Sequence, residues 1–254
     1  MFRYATYRAQ TVSTNWWAPF CVAVALGILG SSSNLEAGEK LSKETHELIP
    51  GVGQLEDGSV KPDTLMFDFT GISQQEDLPE LTAALEEIIA KYPSTCFVYA
   101  WLAGHYGKTH HCEQLQRLGG LVLQHCTTYS LALTDIGESY VDCQDVVSAE
   151  QFLKKAIEAN PDSGARPNLA RLYGMTKRNE LCIQEATDYI SREAKNEAPG
   201  IREPLAQAYN VLGVCLVQLG KAGESFQWFE AALKVKPNDP LIQDNYQWAK
   251  EQVH

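Results

Sequence analysis

The chain has 254 residues, 44% hydrophobic and 21% charged, with a net charge of −11. That length and composition belong to a globular protein of one or two domains with a sizeable core. The acidic balance, with no Lys/Arg cluster to offset it, argues against nucleic acid as a partner, because phosphates would be repelled.

The N-terminus differs from the rest. Residues 1–35 hold Arg3 and Arg8 and no acidic residue, so the negative charge lies on the remainder. Residues 16–30 (WWAPFCVAVALGILG) carry no charge, and the polar run SSSN follows at 31–34. A basic start, an apolar stretch and small residues describe a secretory signal. The stretch falls short of the ~17–25 residues of a spanning helix, yet it lacks a clean A-x-A site, so a membrane anchor touching the bilayer through 16–30 stays open. An organelle presequence and a buried N-terminal apolar helix also fit. We therefore expect residues 1–34 to be a signal peptide or membrane anchor, and the protein to be exported (periplasmic or secreted) or membrane-anchored. Mitochondrial import is the alternative.

Seven cysteines, at 21, 96, 112, 126, 143, 182 and 215, include no C-x-x-C pair. Removal of a signal would take Cys21 and leave an even number, compatible with disulfides in an exported protein. Cysteines on apolar helix faces also serve as small core residues, so both readings stand.

Residues 35–76 read as a linker or irregular arm. Its first part, 35–62, is rich in charge, Gly and Pro, and LMFDFTG at 65–71 reads as a short strand or an extended segment laid against the first helix. From Asp77 the pattern turns helical. Asp77 can cap the helix, Pro79 suits its first turn, Leu81, Leu85 and Ile88 share a face, and Tyr92-Pro93 ends it.

Beyond Pro93 the chain repeats. Leu102-Ala103 then Tyr106, Ile136-Gly137 then Tyr140, Leu169-Ala170 then Tyr173, and Leu212-Gly213 then Leu216 are one pattern, with last members 34, 33 and 43 residues apart. A second pattern recurs after it: Ala149, Leu153, Ala156 and Pro161 share the spacing of Ser225, Phe229, Ala232 and Pro237, and Leu81, Leu85, Ile88 and Pro93 share it at the front. A small residue in the first helix lets the second cross closely, the large neighbours fill the hairpin, and the proline ends the second helix. Such a hairpin cannot bury its apolar face alone, so copies must stack.

These residues resemble the tetratricopeptide repeat, whose 34-residue consensus is W-x2-L-G-x2-Y in helix A and A-x3-F-x2-A-x4-P in helix B. The copy at 206–239 resembles it best, through Tyr209, Leu212, Gly213, Leu216, Ser225, Phe229, Ala232 and Pro237. The copy at 130–163 carries Leu133, Ile136, Gly137, Tyr140, Ala149, Leu153, Ala156 and Pro161. The copy at 96–129 keeps Tyr99, Leu102, Ala103 and Tyr106 but has Gly119-Gly120 inside its second helix. The copy at 163–205 has Arg166 in place of an aromatic and runs long through SREAKNEAPGIREP, which breaks the regular period before the fourth copy. Residues 241–253 read as a terminal helix covering the last hairpin. The resemblance covers about 77–254 and implies an all-α, right-handed α-α superhelix.

Candidate chemistry is sparse. His105, His110, His111, Cys112, His125 and Cys126 are the densest N/S patch, which as a functional reading is a zinc or copper site. His111 and His125, however, are 14 residues apart, about 21 Å along one helix at ~1.5 Å per residue. We expect a solvated turn, with no metal and no cofactor. No G-x-S-x-G, H-E-x-x-H or phosphate loop occurs, so we expect no enzyme. The resemblance instead implies a concave groove lined by helix A residues, holding a protein or peptide partner. Carried over, it places Ala100, Gly104 and Lys108 there from the first copy, and Thr134, Glu138 and Asp142 from the second. The third copy supplies Pro167, Arg171 and Met175, and the fourth Asn210, Val214 and Gln218. Asn210 would pair with a ligand amide, and Glu138 and Arg171 would add charge selectivity. The subtype that clamps chaperone tails is not expected, since Ala100, Gly104 and Thr134 stand where it uses Lys and Asn. The expected function is a non-catalytic adaptor, scaffold or assembly subunit. The alternative is a permanently bound accessory subunit of a large membrane complex, such as an organellar respiratory complex, and a metal-binding or enzymatic protein using the His/Cys patch is the third reading.

Overall fold

The computed structural model describes residues 79–91, 93–196 and 198–253. The expected signal or anchor, the arm with its segment 65–71 and the cap Asp77 lie outside them. Ten α-helices and one 3-10 turn make up the described chain: α1 Pro79–Lys91, α2 Cys96–Lys108, α3 Cys112–His125, α4 Ser130–Asp142, α5 Val146–Ala159, α6 Ala165–Met175, α7 Asn179–Glu193, α8 Arg202–Gln218, α9 Ala222–Val235 and α10 Pro240–Glu251, with the 3-10 turn Pro199–Ile201 before α8. No strand occurs among the described residues, and α2–α9 form four consecutive hairpins. This is the all-α, right-handed solenoid that the resemblance implied.

The turn inside each hairpin follows from the repeated pattern. The last residue of each repeated first-helix pattern (Tyr106, Tyr140, Tyr173, Leu216) offers its carbonyl to the amide five residues on, at 2.8–2.9 Å. One residue before that amide, His110, Gln144, Lys177 and Gly220 hold φ of 56°, 61°, 60° and 75°. This 6→1 bond around a left-handed residue satisfies carbonyls that the helix end would otherwise leave unpaired. Only the fourth hairpin places there the glycine that the geometry favours. The second helices start less uniformly: Asp145 caps α5 by accepting from Ser148 N at 3.0 Å, and Asp239 with Pro240 opens α10.

Packing gives the small residues their meaning. A Cβ on Gly213 would stand 2.7 Å from Phe229 Cζ, and one on Gly137 would stand 2.8 Å from Leu153 Cγ and 3.1 Å from its backbone nitrogen. Both partners lie on the second helix of the same hairpin, so these are close-crossing positions. Ala103 and Ala170, in the equivalent places, are wholly buried. The Gly119-Gly120 pair does not break α3. Gly119 faces Tyr140 and Phe152 of the next hairpin, while Gly120 has open space around it. Between α7 and α8 the extra length winds into the 3-10 turn, and α6 still packs on α8 across it.

All six described cysteines form disulfides. Cys96–Cys126 closes the open end of the first hairpin, Cys112–Cys143 ties it to the second, and Cys182–Cys215 joins α7 to α8. The loops closed span 30, 31 and 33 residues, for which the chain-entropy account gives each bond about 3–4 kcal/mol of stabilisation.

Candidate partner-binding face

The first helices α2, α4, α6 and α8 lie side by side, with α10 beyond α8. Because they repeat in phase, residues one period apart meet across neighbouring helices. Lys108 Nζ reaches Asp142 Oδ2 at 2.7 Å, joining α2 to α4. Arg171 Nη2 reaches Glu138 Oε1 at 3.2 Å, and Asn168 Nδ2 donates to Glu138 Oε2 at 3.5 Å, joining α4 to α6. Gln207 Nε2 donates to Asn168 Oδ1 at 2.7 Å, and Asn245 Nδ2 to Asn210 Oδ1 at 3.1 Å, extending the row to α8 and α10. Four residues named for the groove, Lys108, Asp142, Glu138 and Arg171, are thus two cross-helix ion pairs. Their charges are compensated within the protein before any ligand arrives.

The other named residues are placed differently. Thr134 is buried, its hydroxyl donating to Ser130 O at 2.7 Å, and Gln218 is exposed at the end of α8. Ala100, Pro167 and Val214 are buried, while Met175 is exposed. Sequence reasoning missed Asn168, Gln207, Asn245 and Asp135. Asn168 lies 33 residues after Asp135, so the period itself marked that pair; Asn245 lies in the terminal helix, outside the repeat.

The electrostatics of this face centre on Asp135. Asp135 is half-buried on α4. Burial pushes the group well above the ordinary carboxylate range, the Glu138 charge adds to the rise, and Lys108 opposes it. On the second helices the balance is opposite. Burial raises the Glu150 carboxyl, but hydrogen bonds from Lys154, Arg178 and Tyr173 outweigh it and bring the group to about 2. Arg178 Nη1 contacts Glu150 Oε2 at 2.6 Å, with its guanidinium 4.5 Å from the Tyr173 ring centre.

The His/Cys patch is dispersed. Cys112 and Cys126 bond to Cys143 and Cys96, His105 is buried and stacked on Trp101 at 5.4 Å, and His111 Nδ1 lies 2.7 Å from Thr109 Oγ1. Among the described residues no three His, Cys, Asp or Glu side chains gather as a metal site. No described helix is long and apolar enough to cross a membrane.

The tetratricopeptide repeat family profile matches residues 131–163 and 206–239, the second and fourth hairpins. No curated protein matches the chain. Among solved structures, PilF from Pseudomonas aeruginosa aligns at 16% identity and a TM-score of 0.53, over 62% of this chain and 68% of that one. A thermophilic TPR protein from Thermus thermophilus aligns at 15% and 0.53, over 67% and 89%. YrrB, a TPR protein with an unusual peptide-binding site, aligns at 12% and 0.51, over 70% and 87%. At these identities the structures speak for the fold, and the repeat profile speaks for the sequence. With the four consecutive hairpins, they place the chain in the tetratricopeptide-repeat superfamily.

Proposed function

We propose that the protein is an exported or membrane-tethered scaffold that holds a protein partner along the face made by α2, α4, α6 and α8. Tetratricopeptide repeats are protein–protein interaction modules, and the solved neighbours support that general role. The observation carrying the proposal is the row of cross-helix polar groups. Asn168, Gln207, Asn210 and Asn245 form neutral amide pairs on that face. Asn168 and Asn210 are buried and Gln207 and Asn245 half-buried, and each amide carries both donors and an acceptor, so a ligand backbone can bond the half-buried pair without stranding a buried charge. The two ion pairs, in contrast, hold the helices in register and set the charge a partner meets. The location rests on separate support: three disulfides among the described residues fit an oxidising compartment.

The test is affinity capture with the full chain from its native membrane or exported fraction. Asn210→Ala and Arg171→Ala are expected to lose the captured partner, while Val147→Ser, on the second-helix side and 79% exposed, keeps it. Equal capture by all three variants would remove this face from the function. N-terminal sequencing of the mature protein tests the location. A start near residue 31 or later supports cleaved export, and an intact Met1 supports tethering.

A further inference from the structure

The four hairpins are not joined alike. The first and second are held by Cys112–Cys143, with Cys96–Cys126 closing the first, and α2 runs in contact with α4 over most of its length. The third and fourth are held by Cys182–Cys215, and α7 packs broadly on α8. Between the second and third no disulfide crosses among the described residues. There α4 meets α6 far less than it meets α2, and the second helix α5 supplies most of the packing on α6.

Polar links also cross that junction: Glu138 with Arg171 and Asn168, Glu150 with Arg178 and Tyr173, and Asp162 with Arg192 at 3.4 Å. Two buried polar atoms there, Ser163 Oγ and Arg171 Nε, have no hydrogen-bond partner among the described residues. An open cleft of ≈490 Å³ enters the same junction between the start of α5 and the α6–α7 turn, lined by Val146, Glu150, Lys154, Thr176 and Arg178. The connecting residues 160–164 form turns and a bend, and Gly164 precedes α6 without a side-chain cap.

We infer that the protein is two covalently stitched blocks, α1–α5 and α6–α10, which bend against each other about residues 160–164. The apolar core continues through Ala165 and Leu169, so the joint pivots on buried side chains and does not come apart. Bending would let water reach the two unpartnered atoms, which offsets part of the cost of drawing the paired polar groups apart. It would also change the spacing between Glu138 and Arg171, and therefore the shape of the first-helix face where its two halves meet. This joint goes beyond the binding proposal and stands whether or not that face holds a partner.

The experiment measures energy transfer between dyes on noncanonical residues in the full, oxidised chain. One pair, at Gln124 and Gln247, spans the joint. A second, at Gln124 and Gln151, lies within the first block, and all three sites are exposed. The double variant Arg171→Ala, Arg178→Ala is expected to broaden the spanning distribution and shift its mean, leaving the within-block distribution unchanged. Wild-type protein taken from about 50 mM to about 0.5 M salt should move the same way, because ionic links to partly exposed groups are screened. The salt arm needs no substitution, so it reads the joint even where the double variant fails to fold. An unchanged spanning distribution in both arms, or equal broadening of both pairs, overturns the inference.

Discussion

The third and fourth hairpins reach the same shape with different chemistry. In the fourth, Tyr209 stacks on Trp228 with ring centres 6.1 Å apart, Phe229 fills the space beside Gly213, and Gly220 makes the turn. In the third, Arg166 stands in place of the aromatic, bonding Glu185 Oε2 at 2.7 Å, Asp188 Oδ2 at 2.9 Å and Pro161 O at 2.9 Å, while Lys177 makes the turn. Close apolar packing depends on shape and is insensitive to salt, whereas an ionic brace tolerates looser packing but depends on charge. The family profile matches the fourth hairpin and passes over the third, although both fold.

The comparison breaks most severely at the bond between the two. Replacing Cys182 and Cys215 with Ser should lower unfolding free energy by about 3–4 kcal/mol, measured by denaturant unfolding without reductant; an unchanged midpoint would mean that packing of α7 on α8 suffices alone. Next comes the close crossing. Gly213→Ala puts a methyl against the Phe229 ring and should cost about 1–3 kcal/mol. Gly223→Ala, where nothing lies within 4 Å, should gain about 0.5–1 kcal/mol from helix propensity. Thermal denaturation of the pair separates crowding from propensity.

Arg166→Ala should cost about 1–2 kcal/mol, and its deficit relative to wild type should shrink as salt rises, since screening already weakens the brace. A salt-independent deficit would show that Arg166 acts through its packed stem. The smallest effects concern the turns. Gly220→Ala should cost about 1 kcal/mol, and Lys177→Gly should gain up to about 1 kcal/mol by relieving a left-handed side-chain residue. If Lys177→Gly destabilises, unfolded-chain entropy outweighs the turn.

Much of this architecture was legible before the structure, because repetition is a local signal. Leu102-Ala103-Tyr106 and its three relatives mark both the crossing and the residue whose carbonyl closes each turn. Departures from consensus were harder to interpret. Gly119 departs from the repeat pattern, but its missing side chain makes room for Tyr140 from the next hairpin. Arg166 stands where an aromatic is usual, and its partners lie 19 and 22 residues ahead, on the facing helix. For the candidate face, the resemblance named Lys108, Asp142, Glu138 and Arg171 but not their mutual pairing, since each partner sits about one repeat away on another helix.

The amino-acid order by itself determined the helices and their hairpin pairing, because small residues, large residues and prolines at fixed spacing act within one or two helical turns. The tertiary structure alone decided which cysteines meet, which charges cancel across the first-helix face, and where the stack is stitched or left to polar contacts. Those depend on distances between residues a full repeat apart, which are set only when one hairpin packs on the next.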